Sequence, residues 1–346
     1  VAEAVGFDRP LALAMVTETP RWQQQVVDAR ELGDEEVEVD AVVVGTGAGG
    51  APVAKALAAA GYAVLMLEEG GHFTRRDFNG HPMAMHRMLY RDRGLTMSLG
   101  NAMIPIPMGR SVGGSTTVNS GTCYRTPEEV LRRWQSQHGL AELGPGSLDP
   151  YFDRVETMLE VAPAEAKTLG GCAAIIARGC EALGYAHGPL TRNAPGCDAQ
   201  ALCCYGCPTD AKRSTNVSYV PAALERGAML YTHARVVEVL TEGRRAVGVV
   251  AVTQRADGSR ARITVRAKAV VLSCGSTYTP ALLLKQGLAN RSGQLGRNLT
   301  IHPASYSWAL GSEAVRGWAE VPQGYAIEHF AHEGLRFEGG FVPLPV

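Results

Sequence analysis

The sequence predicts an α/β fold, on three observations. Val37–Val44 (VEVDAVVV) reads as a buried, valine-rich strand closed by Gly45. Ala51–Ala60 follows as an alanine-rich helix, with Pro52 in its first turn and Gly61 as its stop. Ala63–Leu67 is then a second apolar strand, ending in Glu68. Strand, glycine turn, helix, strand makes a βαβ unit, which brings parallel strands with covering helices. The expected architecture is Rossmann-like.

The remaining elements follow in order. Arg21–Leu32 reads as a short helix, and Asp34-Glu35-Glu36 as a solvated acidic turn. From Gly70 to about Gly109 the chain reads as irregular, rich in Met, His and Arg. Residues 127–161 return to helical texture, with Asp149 and Pro150 as a helix start. Cys172–Leu183 is a further helix, and a cysteine-rich loop occupies 193–216. Val236–Leu240, Ala246–Thr253 and Ile263–Val265 alternate between turn signals and predict an antiparallel meander. Ala269–Ser273 reads as one more buried strand.

Composition sets the outer limits. Apolar residues make up 46% and charged residues 19% of the 346, enough for a sizeable core and unlike a disordered chain. Lys and Arg number 33 against 34 Asp and Glu, a balance that offers nucleic acid nothing. No apolar run approaches the roughly 20 residues of a membrane-spanning helix. Residues 1–36 carry no signal-peptide pattern, and a soluble, cytoplasmic location is favoured. Four of the 8 cysteines fall between Cys197 and Cys207, which is a local cluster and not a secreted disulfide framework.

Gly45-Thr46-Gly47-Ala48-Gly49-Gly50 carries the chemistry of the βαβ unit. Gly45 permits the tight turn, Gly47 lets the backbone approach a pyrophosphate, and Gly50 lets helix and strand pack closely. The helix amino terminus offers N–H groups to an anion, and Glu68 can accept from ribose hydroxyls. The bland alternative is a structural glycine turn with an exposed glutamate. The motif does not separate NAD from FAD. A second glycine-rich segment, Gly109–Thr122 (GRSVGGSTTVNSGT), suits a loop pressed against a flat ring or a second part of a long cofactor.

With these segments, the sequence resembles the glucose-methanol-choline (GMC) flavoprotein oxidoreductases over residues 38–303. The resemblance rests on GTGAGG with Glu68, on Gly109–Thr122, on Gly275–Leu284 (GSTYTPALLL), and on Gly296-Arg297-Asn298-Leu299 followed by His302-Pro303. Gln286, Ala289 and Cys123 depart from the residues usual at their positions. Within the family, the segment around Cys203–Lys212 looks closest to long-chain alcohol oxidases and cholesterol-oxidase-like members.

The resemblance implies FAD in an extended pose. Gly45, Gly47, Ala48, Gly49 and Gly50 would hold the pyrophosphate and neighbouring ribose, and Glu68 the adenosine ribose. Arg110, Gly113, Gly114, Ser115, Asn119, Ser120 and Thr122 belong to the second loop, with Ser115, Asn119, Ser120 and Thr122 along the ribityl chain and isoalloxazine edge. The Val236 backbone would meet adenine, and Cys274-Gly275 would pass near the pyrophosphate.

The implied organisation is an amino-terminal segment over 1–36 and an FAD-binding domain over 37–303, with a helical and cysteine-rich insertion at about 127–216. Residues 304–346 would open an incomplete α+β substrate domain. The implied reaction oxidises an alcohol by hydride transfer to flavin N5, with oxygen, a quinone or a cytochrome as acceptor. The family's histidine base is expected beyond Val346, so no catalytic base is named. The apolar end Phe341–Val346 reads as the edge of a longer chain. A non-catalytic flavin-binding module, a GMC dehydrogenase that passes electrons through a Cys-ligated iron–sulfur cluster, and an NAD-dependent dehydrogenase are the competing readings.

The cysteine cluster leaves three readings open. Cys197, Cys203, Cys204 and Cys207 could ligate an iron–sulfur cluster, part of them could bind zinc, or they form a compact loop of thiols or a disulfide. His302, before Pro303, reads as structural more readily than catalytic, and His81 and His86 as surface or channel residues. His329 and His332 are late in the chain and carry no other signal. Met83, Met85, Met88, Met97, Met103 and Met108 would suit a long or bulky apolar alcohol, or simply fill a core.

Overall fold

A computed structural model describes residues 20–302, 304–309 and 311–341. Pro303 and the apolar end 342–346 lie outside the described residues, as do residues 1–19. In chain order the regular elements are β1 (Val26–Asp28), β2 (Glu35–Val44), α1 (Gly50–Ala59), β3 (Val64–Leu67), α2 (Pro82–Leu89), α3 (Glu128–His138), α4 (Asp149–Leu159), β4 (Ala162–Pro163), α5 (Gly171–Leu183), β5 (His187–Pro189) and β6 (Thr191–Arg192). Then come α6 (Tyr219–Leu224), β7 (Met229–Thr232), β8 (Arg235–Glu242), β9 (Arg245–Gln254), β10 (Arg260–Leu272), α7 (Gly275–Lys285), β11 (Tyr325–Ile327) and β12 (Phe337–Glu338).

The chain divides into two compact units. The larger covers the described residues up to Val118 together with Thr215–Glu313. Its seven-stranded sheet has the order β1-β7-β3-β2-β10-β9-β8. The pairs from β1 through β10 are parallel, while β10, β9 and β8 form the antiparallel meander. The α/β expectation therefore holds. Val42, Val44, Leu65, Leu67, Tyr231, Val249, Ala251, Ile263 and Val265 form the core. Burying each such aliphatic side chain contributes roughly 1.5–3 kcal/mol.

Four local expectations are corrected. Arg21–Leu32 is not one helix: Val26 and Val27 extend and pair with Leu230 and Tyr231, because β-branched residues fit a strand beside an open sheet edge. The acidic stretch is no turn from Glu35 onward, since Glu35 and Glu36 continue β2 opposite Ile263 and Thr264. The 70–109 stretch contains α2, where Pro82 sits in the first turn and His81 Nδ1 accepts from Ala84 N–H at 3.5 Å.

The last meander strand and Ala269–Ser273 are one strand, β10. The polar residues between them meet cross-strand partners. Lys268 Nζ reaches Asp40 at 2.7 Å, and Arg266 Nε lies 3.5 Å from Glu36.

The smaller unit covers Asn119–Ser214 and the described residues from Ala314 on. It contains α3 to α5, the β4–β6 pair and a three-stranded sheet, β12-β11-β5. Gly139 and Gly184 end α3 and α5 in the left-handed conformation that glycine adopts without strain.

Candidate functional site

The carboxyl ends of parallel strands in an open α/β sheet are where such folds bind ligands. In the larger unit, the ends of β2, β3 and β10 open onto a cavity of about 460 Å³. Its walls include Gly45–Gly49, Glu68, Glu69, Gly114, Ser115, Val236, Cys274, Gly275 and Tyr278.

The two glycine-rich segments meet here. Gly45 turns off β2 with φ +95°, and a Cβ there would lie 2.4 Å from Ser273 O. A Cβ on Gly50 would lie 1.9 Å from Gly45 O, so α1 starts as close to β2 as backbone allows. Gly47 differs: a Cβ there would find its nearest neighbours 3.8 Å away, on Gly113 and Gly114, and the residue lines the cavity. Ala48 and Gly49 are exposed at the amino end of α1, where first-turn N–H groups have no intrahelical acceptor.

Thr46 joins these parts. Its N–H and hydroxyl donate to Glu68 Oε2 at 3.1 and 2.6 Å. Its Oγ1 accepts from Gly113 N–H at 3.1 Å, and its carbonyl accepts from the Thr215 hydroxyl at 2.8 Å. Glu68 Oε1 accepts from Gly70 N–H at 3.0 Å. Burial pushes the Glu68 carboxyl above its ordinary value, and the hydrogen bonds from Thr46 and Gly70 oppose that shift. Glu68 is therefore a buried, three-bonded carboxylate with acceptor capacity left at the cavity wall.

Expected residues divide by position. Gly45, Gly47, Ala48, Gly49, Glu68, Gly114, Ser115, Val236, Cys274 and Gly275 line the cavity. Gly50, Arg110 and Gly113 are not among its walls. Gly50 is covered by Gly45, Gly113 is turned at φ +97° against Thr117 and Asn216, and Arg110 is an exposed side chain whose carbonyl backs onto Gly70. Asn119, Ser120 and Thr122 belong to the smaller unit.

Three wall residues were not singled out as site residues from the sequence. Arg91 makes a two-pronged pair with Glu69, at 3.2 and 2.6 Å. Its guanidinium also stacks 3.9 Å over the ring of Tyr278, in the first turn of α7. Nothing in the spacing of Glu69, Arg91 and Tyr278 announces that they meet.

Residues 86–304 match the family described as GMC oxidoreductase, which is more than half of the chain. The chain belongs to the GMC oxidoreductase family. An uncharacterized GMC-type oxidoreductase of Mycobacterium tuberculosis is 42% identical over 307 residues, covering 88% of this chain and 48% of that protein. A long-chain-alcohol oxidase of Arabidopsis thaliana is 33% identical over 291 residues, covering 81% of this chain and 38% of the relative. This GMC chain thus spans about half or less of the length of these curated relatives. Among solved structures, the formate oxidase of Aspergillus oryzae superposes with a TM-score of 0.53 at 17% identity, over 73% of this chain and 48% of the other. Pyridoxine 4-oxidase from Mesorbium loti gives 0.54 at 18% identity, over 72% and 52%. These likenesses show the fold.

The GMC family implies FAD, and the cavity suits it. Clearance at Gly47, donor groups at the start of α1, and an acceptor at Glu68 match a diphosphate with a ribose beside it.

None of the eight cysteines is bridged, and among the described residues no three His, Cys, Asp or Glu side chains are grouped to hold a metal ion. Burial pushes the Cys204 thiol up to about 11 and also raises Cys197. Lys212 lies among Cys203, Cys204 and Cys207, its ammonium disfavoured by burial.

The histidines are placed at the surface or in packing. His86 stacks on Tyr90 with ring centres 4.6 Å apart, His329 stacks on Tyr185 at 4.6 Å, and His332 Nδ1 faces His329 O at 3.1 Å. His302 is exposed. Of the methionines, Met85 is buried, Met108 lines the cavity, and Met83, Met97 and Met103 are exposed. No helix among the described residues is long and apolar enough to cross a membrane.

Proposed function

We propose that this chain is the cofactor-holding part of an FAD-dependent oxidoreductase that oxidises a CH–OH group. The observation that carries it is the cavity where both glycine-rich segments, Glu68 and the start of α7 converge. Gly47, Ala48 and Gly49 would present N–H groups to the diphosphate, with Cys274 and Gly275 also lining the cavity. Glu68 would accept from the adenosine ribose. The Val236 backbone, with Ala281 and Leu282 of the same cavity, would enclose the adenine.

Ser115, Asn119, Ser120 and Thr122 take the ribityl and ring end by motif order. When bound, FAD supplies the hydride acceptor. The residues of this chain bind and orient it and keep water from its diphosphate.

The substrate we propose is a long-chain or bulky apolar alcohol, supported by the resemblance to long-chain-alcohol oxidases. Anaerobic addition of a series of straight-chain primary alcohols to the flavin-loaded protein tests this. Bleaching of the flavin bands that quickens with chain length supports the reading. Bleaching by short polar alcohols alone overturns it.

A further inference from the structure

The larger unit carries a hairpin between α2 and the second glycine-rich segment. Its root is clasped twice: Arg91 N–H donates to Met108 O at 2.8 Å, and Arg110 N–H to Leu89 O at 2.7 Å. Between the clasps the two arms run antiparallel, bridged at Met97 and Pro105. Ser98 N–H donates to Ile104 O at 2.9 Å and Ile106 N–H to Thr96 O at 2.8 Å.

The apolar side chains of this hairpin face water. Leu99 is 88% exposed, Met103 71% and Leu95 69%, and Met97 and Ile104 are exposed with them. A Cβ on Gly100, at the tip, would meet nothing within 4 Å. No charged residue occurs from Leu95 to Met108, so no ion has to be desolvated if the hairpin enters an apolar phase. A contiguous exposed apolar surface of this kind marks an interaction site.

The backbone decides between a protein partner and a lipid one. On the returning arm, Ile104 N–H donates to Ser98 Oγ at 3.2 Å and Ile106 N–H is paired across the hairpin. Pro105 and Pro107 have no N–H at all. From Ile104 to Pro107, then, no amide donor needs water, which is the condition for entering hydrocarbon. The two prolines also bar another chain from adding as a strand along that arm.

Charge at the root completes the pattern. Arg87, Arg93 and Arg110 are exposed there, and Asp92 is the only acidic residue from Phe78 to Val118. An apolar tip above a basic collar matches acyl chains beneath anionic headgroups.

We infer that the hairpin Leu95–Met108 is a docking element that inserts Leu99 and Met103 into an anionic lipid bilayer, with Arg87, Arg93 and Arg110 against the headgroups. The element lies within the larger unit and does not depend on the flavin reading. It brings the protein to the phase in which a long-chain alcohol collects.

Sedimentation with vesicles of phosphatidylcholine, with and without phosphatidylglycerol, tests this. The wild-type chain should sediment with the anionic vesicles, and bind phosphatidylcholine alone at least about tenfold more weakly. Leu99→Ser with Met103→Ser should weaken binding about tenfold or more. Arg87→Gln with Arg93→Gln should weaken it about twentyfold, a loss that high salt reproduces in the wild type. Leu99→Trp should add fluorescence that lipids brominated along their acyl chains quench. An unchanged midpoint in urea shows that each variant is folded. If the serine pair shifts that midpoint, the arginine pair and the quenching of Leu99→Trp carry the decision.

No sedimentation with the anionic vesicles overturns the inference. Binding that survives the serine pair, or a Leu99→Trp signal left unquenched on bound vesicles, overturns the hairpin's role. Equal binding to phosphatidylcholine alone overturns the arginine collar. Self-association that the serine pair abolishes, with no vesicle binding, assigns the hairpin to a second copy of this chain instead.

Discussion

Thr46 and Glu68 are joined twice: the backbone N–H and the hydroxyl of Thr46 both donate to Glu68 Oε2, at 3.1 and 2.6 Å. The same hydroxyl accepts from Gly113 N–H at 3.1 Å, so one side chain fastens the first glycine turn to the end of β3 and to the second glycine segment. Thr46→Val keeps the shape and removes the hydroxyl, leaving Gly113 N–H buried without its acceptor. A loss of about 1–3 kcal/mol in urea unfolding is expected, and less than about 1 kcal/mol for Thr46→Ser.

Two glycines should answer in opposite directions. Gly50→Ala places a methyl 1.9 Å from Gly45 O, a backbone atom that has nowhere to go, and should cost about 3 kcal/mol or more. Gly179 lies inside α5 with nothing within 4 Å of an added methyl, and Gly179→Ala should stabilise by about 0.5–1 kcal/mol. Thermal unfolding of the pair measures both against one baseline.

Arg91 should matter to cofactor affinity. Arg91→Met leaves the Glu69 carboxylate facing a cavity that we assign to a diphosphate. FAD binding, followed by quenching of flavin fluorescence, should weaken about tenfold, or roughly 1.4 kcal/mol. Arg91→Lys keeps the charge but loses the planar stack on Tyr278 and the fork onto Glu69, and should fall between the two.

Alkali should weaken the fold through Cys204. Its thiol is held at about 11 against an ordinary 9.0, so between these values the unfolded chain has lost a proton that the folded chain keeps. Stability from this group is full below pH 9 and declines as pH rises toward 11, by at most about 2.7 kcal/mol at 1.36 kcal/mol for each pH unit. The stability difference between wild type and Cys204→Ala, taken from denaturant midpoints at several pH values, should shrink over that window.

The βαβ unit was legible because each signal is local: valines that extend, a glycine turn, alanines that coil, and a carboxylate at the next strand end. The meander was legible for the same reason. What escaped depended on distant partners. β10 was seen in two pieces, and the Asp40 and Glu36 carboxylates that receive Lys268 and Arg266 in its middle lie more than two hundred residues earlier. β1 looked helical because its pairing residues on β7 are as remote. Arg91, Glu69 and Tyr278 meet only through tertiary folding.

The central claim is that this cavity holds FAD, and the visible absorption spectrum of the purified chain supplied with FAD, before and after denaturation, tests it most directly. The account predicts a two-banded flavin spectrum, retained through desalting, with FAD released on unfolding and binding lost in Gly47→Val. A folded chain that stays colourless after FAD is supplied, or a Gly47→Val variant that binds as well as wild type, would contradict it.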